Sequence, residues 1–142
     1  MIRRQKWHRG QSAVEMAIAA PVLVLLLLAV ADFARVSYAA MEVASAARAG
    51  VQYGAQSYVT AIDLAGMQSA ALTDGKDVQG LSATASDFCM CNGAVVACSP
   101  PACSEPQNFV QVTTKATFNT VLSYPGIPSP VNLSSTAVME VQ

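Results

Sequence analysis

The chain has 142 residues, of which 53% are hydrophobic and only 12% are charged. That length suits one domain, or a membrane helix followed by a small domain, and the charged fraction is low for a soluble protein, where it is about 25%. Four of the eight basic residues lie among the first ten, so the remainder carries four bases against nine acids, a net charge of −5, and lacks a basic patch for nucleic acid.

An apolar run follows the basic amino-terminal segment. From Ala13 to Ala31 there are nineteen residues, and Glu15 is the only charged one. As a helix this run would be about 28 Å long, close to the hydrocarbon core of a bilayer at about 30 Å. The preceding bases predict that the amino terminus stays in the cytoplasm. The pattern predicts a single membrane span, with the rest of the chain outside the cytoplasm.

The helical pattern continues beyond the apolar run. Apolar residues recur there at three- and four-residue steps, namely at Phe33, Val36, Ala40, Val43, Ala47 and Val51. Neither glycine nor proline interrupts residues 22–49, so we predict one helix that leaves the membrane and runs far into the next compartment. Gly50 and Gly54 have a GxxxG spacing outside the apolar run. We interpret them as a helix end or a loose packing point rather than a dimerisation face.

The second half of the chain changes to an alternating pattern. Residues 59–72 predict a second short helix that Gly75 would cap. Alternation indicates strands at 81–88, 109–118 and 133–141, and the segment YPGIPSP at 124–130 indicates a loop. In the middle strand one face is predicted to hold Val110, Val112, Thr114, Ala116 and Phe118. The predicted fold class is α+β, with a long amino-terminal transmembrane helix that continues into a small antiparallel sheet domain.

Four cysteines lie within fifteen residues: Cys89, Cys91, Cys98 and Cys103. Thiols outside the cytoplasm tend to oxidise, so we predict two disulfides. A zinc site is the alternative, which the CxC spacing and the lack of a nearby histidine disfavour.

The stretch CMCNGAVVAC indicates a hairpin whose turn decides the register. An Asn92-Gly93 turn would place Cys89 opposite Val96, whereas a Gly93-Ala94 turn would place it opposite Cys98. We favour the pairs Cys89–Cys98 and Cys91–Cys103, although four cysteines allow three connectivities.

No catalytic site is indicated. The single histidine, His8, lies in the basic segment, so a Ser-His-Asp or Cys-His site would lack its base. The sequence has no GxSxG, no HExxH and no phosphate-binding glycine loop. Asp74 and Asp77 are interpreted as solvated turn residues. We therefore expect a protein that is not an enzyme and that has no cofactor and no metal.

Gly10 and Glu15 give the basic segment a characteristic end. Four uncharged residues separate them, and the apolar run follows. This arrangement resembles the cleavage region of type IV pilin-like proteins, in which a prepilin peptidase cuts after the glycine and the fifth mature residue is glutamate. The resemblance implies that the mature chain begins at Gln11 and that Glu15 is its fifth residue.

The resemblance extends further along the chain. RGQSAVEMAIAAPVLVLLLLAVADFARV at 9–36, ASAARAGVQYGAQ at 44–56 and the terminal LSSTAVMEV are similar to the TadE-like family, minor pseudopilins of the Tad (tight adherence, or Flp) pilus system. Met16 and Gln52 depart from that family's pattern, where an aromatic residue and a second arginine are usual.

The resemblance implies a type IV pilin-like fold and a role as a minor subunit in the initiation or assembly of an adhesive pilus. It implies a location in the bacterial inner membrane, with the carboxy-terminal domain outside the cytoplasm. The implied partners are a prepilin peptidase, other Tad/Flp pilins and minor pilins, the inner-membrane assembly platform and membrane lipid.

Cleavage after Gly10 would free an α-amine at Gln11, one helical turn from Glu15. A pair between this ammonium and the Glu15 carboxylate, within one chain or between neighbours, would favour one axial register between subunits. The alternative is an interfacial glutamate that reaches water among the lipid headgroups.

We expect three segments: a leader at 1–10, a transmembrane and extended amphipathic helix at 11–57, and an extracytoplasmic α+β domain with a disulfide-rich hairpin at 58–142. Two other interpretations stay open. The AVA at 29–31 also fits a secretory signal cleaved after Ala31, which would release a soluble domain, and the chain also fits a plain single-span envelope anchor.

Overall fold

The fold is described from a computed structural model over residues 8–99, 103–121 and 129–142. Residues 1–7 of the predicted leader and most of the predicted loop at 124–130 lie outside these residues. The chain divides into two units, Met1–Arg35 and Val36–Gln142. Helix α1, His8–Gly54, begins in the first unit and ends in the second.

The first unit holds the apolar part of α1. From Val14 to Val30 the large apolar side chains are 39–69% exposed. Exposure of apolar side chains all round a helix is typical of a segment that is buried by lipid rather than by protein. The helix has a mean hydropathy of 2.6 in its most apolar stretch, so it is long and apolar enough to cross a membrane. This confirms the predicted long amino-terminal helix.

The second unit adds two short helices and four strands to the end of α1. These are α2 (Tyr58–Ala61), α3 (Leu64–Asp74), β1 (Ser82–Cys91), β2 (Ala94–Val96), β3 (Gln107–Phe118) and β4 (Val131–Glu140). The strands form one antiparallel sheet in the order β2-β1-β3-β4. The α+β fold class is therefore confirmed.

The predicted helix at 59–72 is divided into α2 and α3. Ser57 caps α2, and its hydroxyl accepts a hydrogen bond from the N–H of Thr60. Asp63 caps α3 by accepting from the N–H of Gly66, and Gly75 follows its last turn as predicted. The division has a local cause, because an aspartate carboxylate that binds a main-chain N–H starts a new helix at its own position.

The core lies between the sheet and the helices. One face of β3 buries Val110, Val112, Thr114 and Ala116, as the alternation predicts. The helices contribute buried residues that are mostly small, namely Val43, Ala46, Ala47, Val51, Met67 and Ala71. Thr114 is fully buried, and its hydroxyl donates to the main-chain carbonyl of Val43 at 2.7 Å. That hydrogen bond satisfies the polar member of this buried set and fixes α1 over the strand.

Gly50 and Gly54 pack tightly, so their interpretation as a loose packing point is wrong. A Cβ at Gly50 would lie 3.0 Å from both methyl carbons of Val112 and 3.0 Å from the carbonyl oxygen of Met67. A Cβ at Gly54 would collide with the sulfur of Met67. Both glycines are buried within the chain, where their lack of a side chain lets α1 approach β3 and α3 closely. Gly54 is also the last residue of α1, which confirms the other half of that interpretation, a helix end.

A hydrogen-bonded clasp joins the end of α1 to the start of α3. The Tyr53 hydroxyl donates to Asp63 Oδ2 at 2.9 Å, and the N–H of Gly66 donates to Asp63 Oδ1 at 2.9 Å. The Gly66 N–H and then the Tyr53 hydroxyl lower the pKa of Asp63, because both bonds favour the charged carboxylate. The same carboxylate raises the pKa of Tyr53, because it accepts the phenolic proton in a hydrogen bond.

The clasp predicts a pH dependence of stability. Because folding lowers the pKa of Asp63, its stabilising effect is fully present above the pKa of the unfolded chain and is lost as pH falls through the lower folded value. In detergent, the melting temperature of wild type should exceed that of Asp63→Asn near pH 6, and this gap should shrink towards about pH 3. Tyr53→Phe is the control, since it keeps the carboxylate and the helix cap. A gap that stays constant with pH would contradict the prediction.

Candidate processing and assembly site

Gly10 lies in the first turns of α1 and is exposed. A Cβ built at this position meets no atom of the described residues within 4 Å. The fold around it therefore has room for a larger residue, unlike that around Gly50 and Gly54. A requirement for glycine at position 10 would have to come from something that acts on the chain, such as a peptidase.

Gln11 and Glu15 lie on the same face of α1. The Gln11 carboxamide donates from Nε2 to Glu15 Oε1 at 3.4 Å, and both residues are exposed. Residues four apart in a helix are separated by about 6 Å along its axis. The structure therefore brings together the residue that would begin a chain cleaved after Gly10 and the carboxylate that would neutralise its amine.

An ion pair marks the other end of the apolar run. Arg35 Nη1 donates to Asp32 Oδ1 at 3.2 Å, and the Asp32 side chain is only 5% exposed whereas that of Arg35 is 53% exposed. No role was predicted for these two residues, although an acid three residues before a base on a helix is a recognisable signal for such a pair. The helix continues without interruption across Ala31 and Asp32.

The cysteines form the two pairs that the sequence favoured. Cys89 is bonded to Cys98 and Cys91 to Cys103, with Cα–Cα distances of 5.1 and 6.2 Å. The sulfurs of Cys89 and Cys91 come from buried residues of β1, whereas Cys98 and Cys103 lie after β2. The bridges thus fasten the connection between β2 and β3 to the sheet.

The hairpin does not use the Gly93-Ala94 turn that would have placed Cys89 directly opposite Cys98. Cys89 lies opposite Val96 and Cys91 opposite Ala94, which leaves Asn92 and Gly93 as the two turn residues. Both have positive φ, 52° and 81°, as a type I′ turn requires. Asparagine and glycine are the residues that tolerate this conformation best, which favours Asn92-Gly93 as the turn. Cys98 reaches Cys89 because the chain continues two residues past the end of β2.

Comparison with known proteins adds one finding. Residues 10–52 match the family model described as TadE-like protein, which confirms the resemblance over a segment that contains Gly10, Gln11 and Glu15. No curated protein and no solved structure matches the chain. The match associates the chain with the TadE-like proteins of the Tad pilus. With the apolar part of α1, it indicates a single-pass membrane protein.

The two disulfides lead to a prediction about connectivity and a prediction about stability. Non-reducing peptide mapping of protein from membranes should recover Cys89–Cys98 and Cys91–Cys103. Replacing Cys91 and Cys103 together by alanine should lower the free energy of unfolding by about 2–4 kcal/mol, because the unfolded chain loses a constraint. A variant with all four cysteines replaced is the control, and its melting temperature should not respond to reductant. Four freely alkylated cysteines in the wild type would contradict the assignment.

Proposed function

We propose that this TadE-like protein is a minor pilin-like subunit, a pseudopilin, of a Tad/Flp-type adhesive pilus, and that it acts in pilus initiation or assembly. A prepilin peptidase would process it between Gly10 and Gln11. The observation that carries the proposal is the position of Gly10 and Glu15 at the start of an exposed apolar helix, inside the segment that matches the family model. Its partners would be that peptidase, the other pilins and minor pilins, the assembly platform and membrane lipid.

The proposed orientation follows from the charges at the two ends of the span. The basic leader would remain in the cytoplasm, and the α+β domain would lie outside the bacterial inner membrane. The two disulfides are consistent with an oxidising compartment on that side. In this arrangement residues 1–10 are the leader, 11–57 the membrane and amphipathic helix, and 58–142 the extracytoplasmic domain.

In the proposed mechanism Glu15 selects the position of the subunit. A carboxylate close to hydrocarbon is costly without a partner, and the new ammonium at Gln11 supplies one at the same depth. A chain that enters the assembly at another height would leave both charges unpaired in a medium of low dielectric constant. A pair formed with a neighbouring chain therefore favours a single axial register, whereas a pair within one chain only neutralises both charges.

Two observations favour this proposal over release of a soluble domain after Ala31. The family match runs across that position, from residue 10 to residue 52. Helix α1 is also continuous there, and cleavage would separate its apolar part from the part that packs Val43 and Val51 into the core. The plain anchor differs from the pilin only in keeping residues 1–10, so the mass of the protein from membranes separates all three interpretations.

Gly10→Val should leave the leader attached and abolish piliation, while the protein still inserts into the membrane. The surroundings of residue 10 have room for the larger side chain, so the effect would reflect the peptidase rather than the fold. Intact mass measures the outcome. Ala13→Val is the matched control, with a similar increase in size three residues downstream, and it should be processed normally. A mature Gly10→Val protein that begins at Gln11 would exclude Gly10 as the residue required for cleavage.

Glu15→Gln should insert and be processed but should fail in assembly, because the terminal ammonium loses its charged partner. Glu15→Asp should be intermediate, since it keeps the charge on a side chain one methylene shorter. The measurements are co-isolation with other pilins and counts of surface pili. Glu42→Gln is the control, as it removes a carboxylate from the same helix beyond the apolar run. Normal pilus numbers with Glu15→Gln would return Glu15 to the role of an interfacial residue.

A further inference from the structure

The residue that would begin the mature chain has a reactivity of its own. The α-amine of an amino-terminal glutamine can attack the carbonyl carbon of its own carboxamide. A C–N bond then forms, the bond to the amide nitrogen breaks, and ammonia leaves with the proton released by the amine. The product is a five-membered pyroglutamyl lactam, and no oxidant or reductant is needed. The lactam nitrogen carries no charge, so cyclisation would remove the terminal ammonium.

The structure holds the Gln11 carboxamide in a place that does not suit this reaction. Its Nε2 donates to Glu15 Oε1 at 3.4 Å, one turn further along α1. Ring closure requires the same carboxamide to fold back onto the main-chain nitrogen of Gln11. One side chain cannot satisfy both geometries, so the contact with Glu15 competes directly with cyclisation.

The charge of Glu15 acts in the same direction. A carboxylate near the terminal nitrogen stabilises the ammonium form over the neutral amine. Only the neutral amine has a lone pair with which to attack the carboxamide. Glu15 thus opposes the reaction in two ways. Its hydrogen bond holds the carboxamide, which is the electrophile, and its charge keeps the amine, which is the nucleophile, protonated.

We propose that Gln11, once it begins the chain, is prone to cyclise to pyroglutamate, and that Glu15 is the positioning residue that slows this reaction in the wild type. The inference rests on the proposed cleavage after Gly10, because only a free α-amine at Gln11 can react. It assigns Glu15 a task before assembly, which is to preserve the terminal charge that it later pairs with.

The test follows the mass of the mature protein over time. Wild type, Glu15→Gln and Glu15→Leu are purified from membranes in detergent and incubated near neutral pH. Intact mass reports the loss of one ammonia, and a block to amino-terminal sequencing confirms that the loss is at residue 11. We expect Glu15→Leu to cyclise about tenfold faster than wild type. Glu15→Gln keeps a hydrogen-bond acceptor without the charge and should lie between them.

Two further variants serve as controls. Glu42→Gln should cyclise at the wild-type rate, because it leaves the Gln11–Glu15 contact unchanged. Gln11→Ser has no carboxamide at the terminus and should lose no ammonia there. Equal rates in wild type and Glu15→Leu, or wild-type protein that is already fully cyclised when isolated, would overturn this inference alone. A protein that begins at Met1 or Asp32 would overturn both the inference and the proposed function.

Discussion

The close approach of α1 to the sheet is the constraint on which the rest of the second unit depends. Two glycines and several alanines leave the helix surface almost flat, so that Val112 and Met67 lie directly against its main chain. A domain of this size has few large side chains to bury, and close contact compensates by increasing dispersion contacts per residue. The hydrogen bond from Thr114 to the carbonyl of Val43 then fixes the helix over one position of β3.

Most of the fold could be predicted from the periodic spacing of the apolar residues. The change from three- and four-residue steps to alternation located the helices and three of the four strands, and the buried face of β3 followed from its alternate residues. Interactions between distant residues did not follow in this way. The same GxxxG spacing fits a helix end, a dimer contact or a packing site, and the positions of Met67 and Val112 decide between them. The clasp of Tyr53 and Asp63 joins two elements, so no local pattern predicts it.

The candidate site was easier to find than the hairpin beside it, for a physical reason. One helix holds Gly10, Gln11 and Glu15, and sequence spacing fixes the relative positions of residues on a helix. The motif in the sequence therefore also predicts which residues lie close together. The hairpin depends instead on which two residues accept positive φ. Asn92-Gly93 is the strongest short signal for such a turn, and preferring a direct Cys89–Cys98 alignment over that signal gave the wrong register. The predicted Cys89–Cys98 pair is nevertheless correct, because the chain bends back after β2 and brings Cys98 to Cys89.

The placement of the cysteines has a consequence for the order of events during export. Both covalent loops are short, with sequence separations of 9 and 12, and both close before β3 begins. In the proposed orientation, the segment that holds all four sulfurs would emerge from the membrane ahead of the two strands that complete the sheet. Oxidation would then need no partner from later in the chain. The hairpin would then be closed by its disulfides before β3 pairs with β1 and β4 pairs with β3.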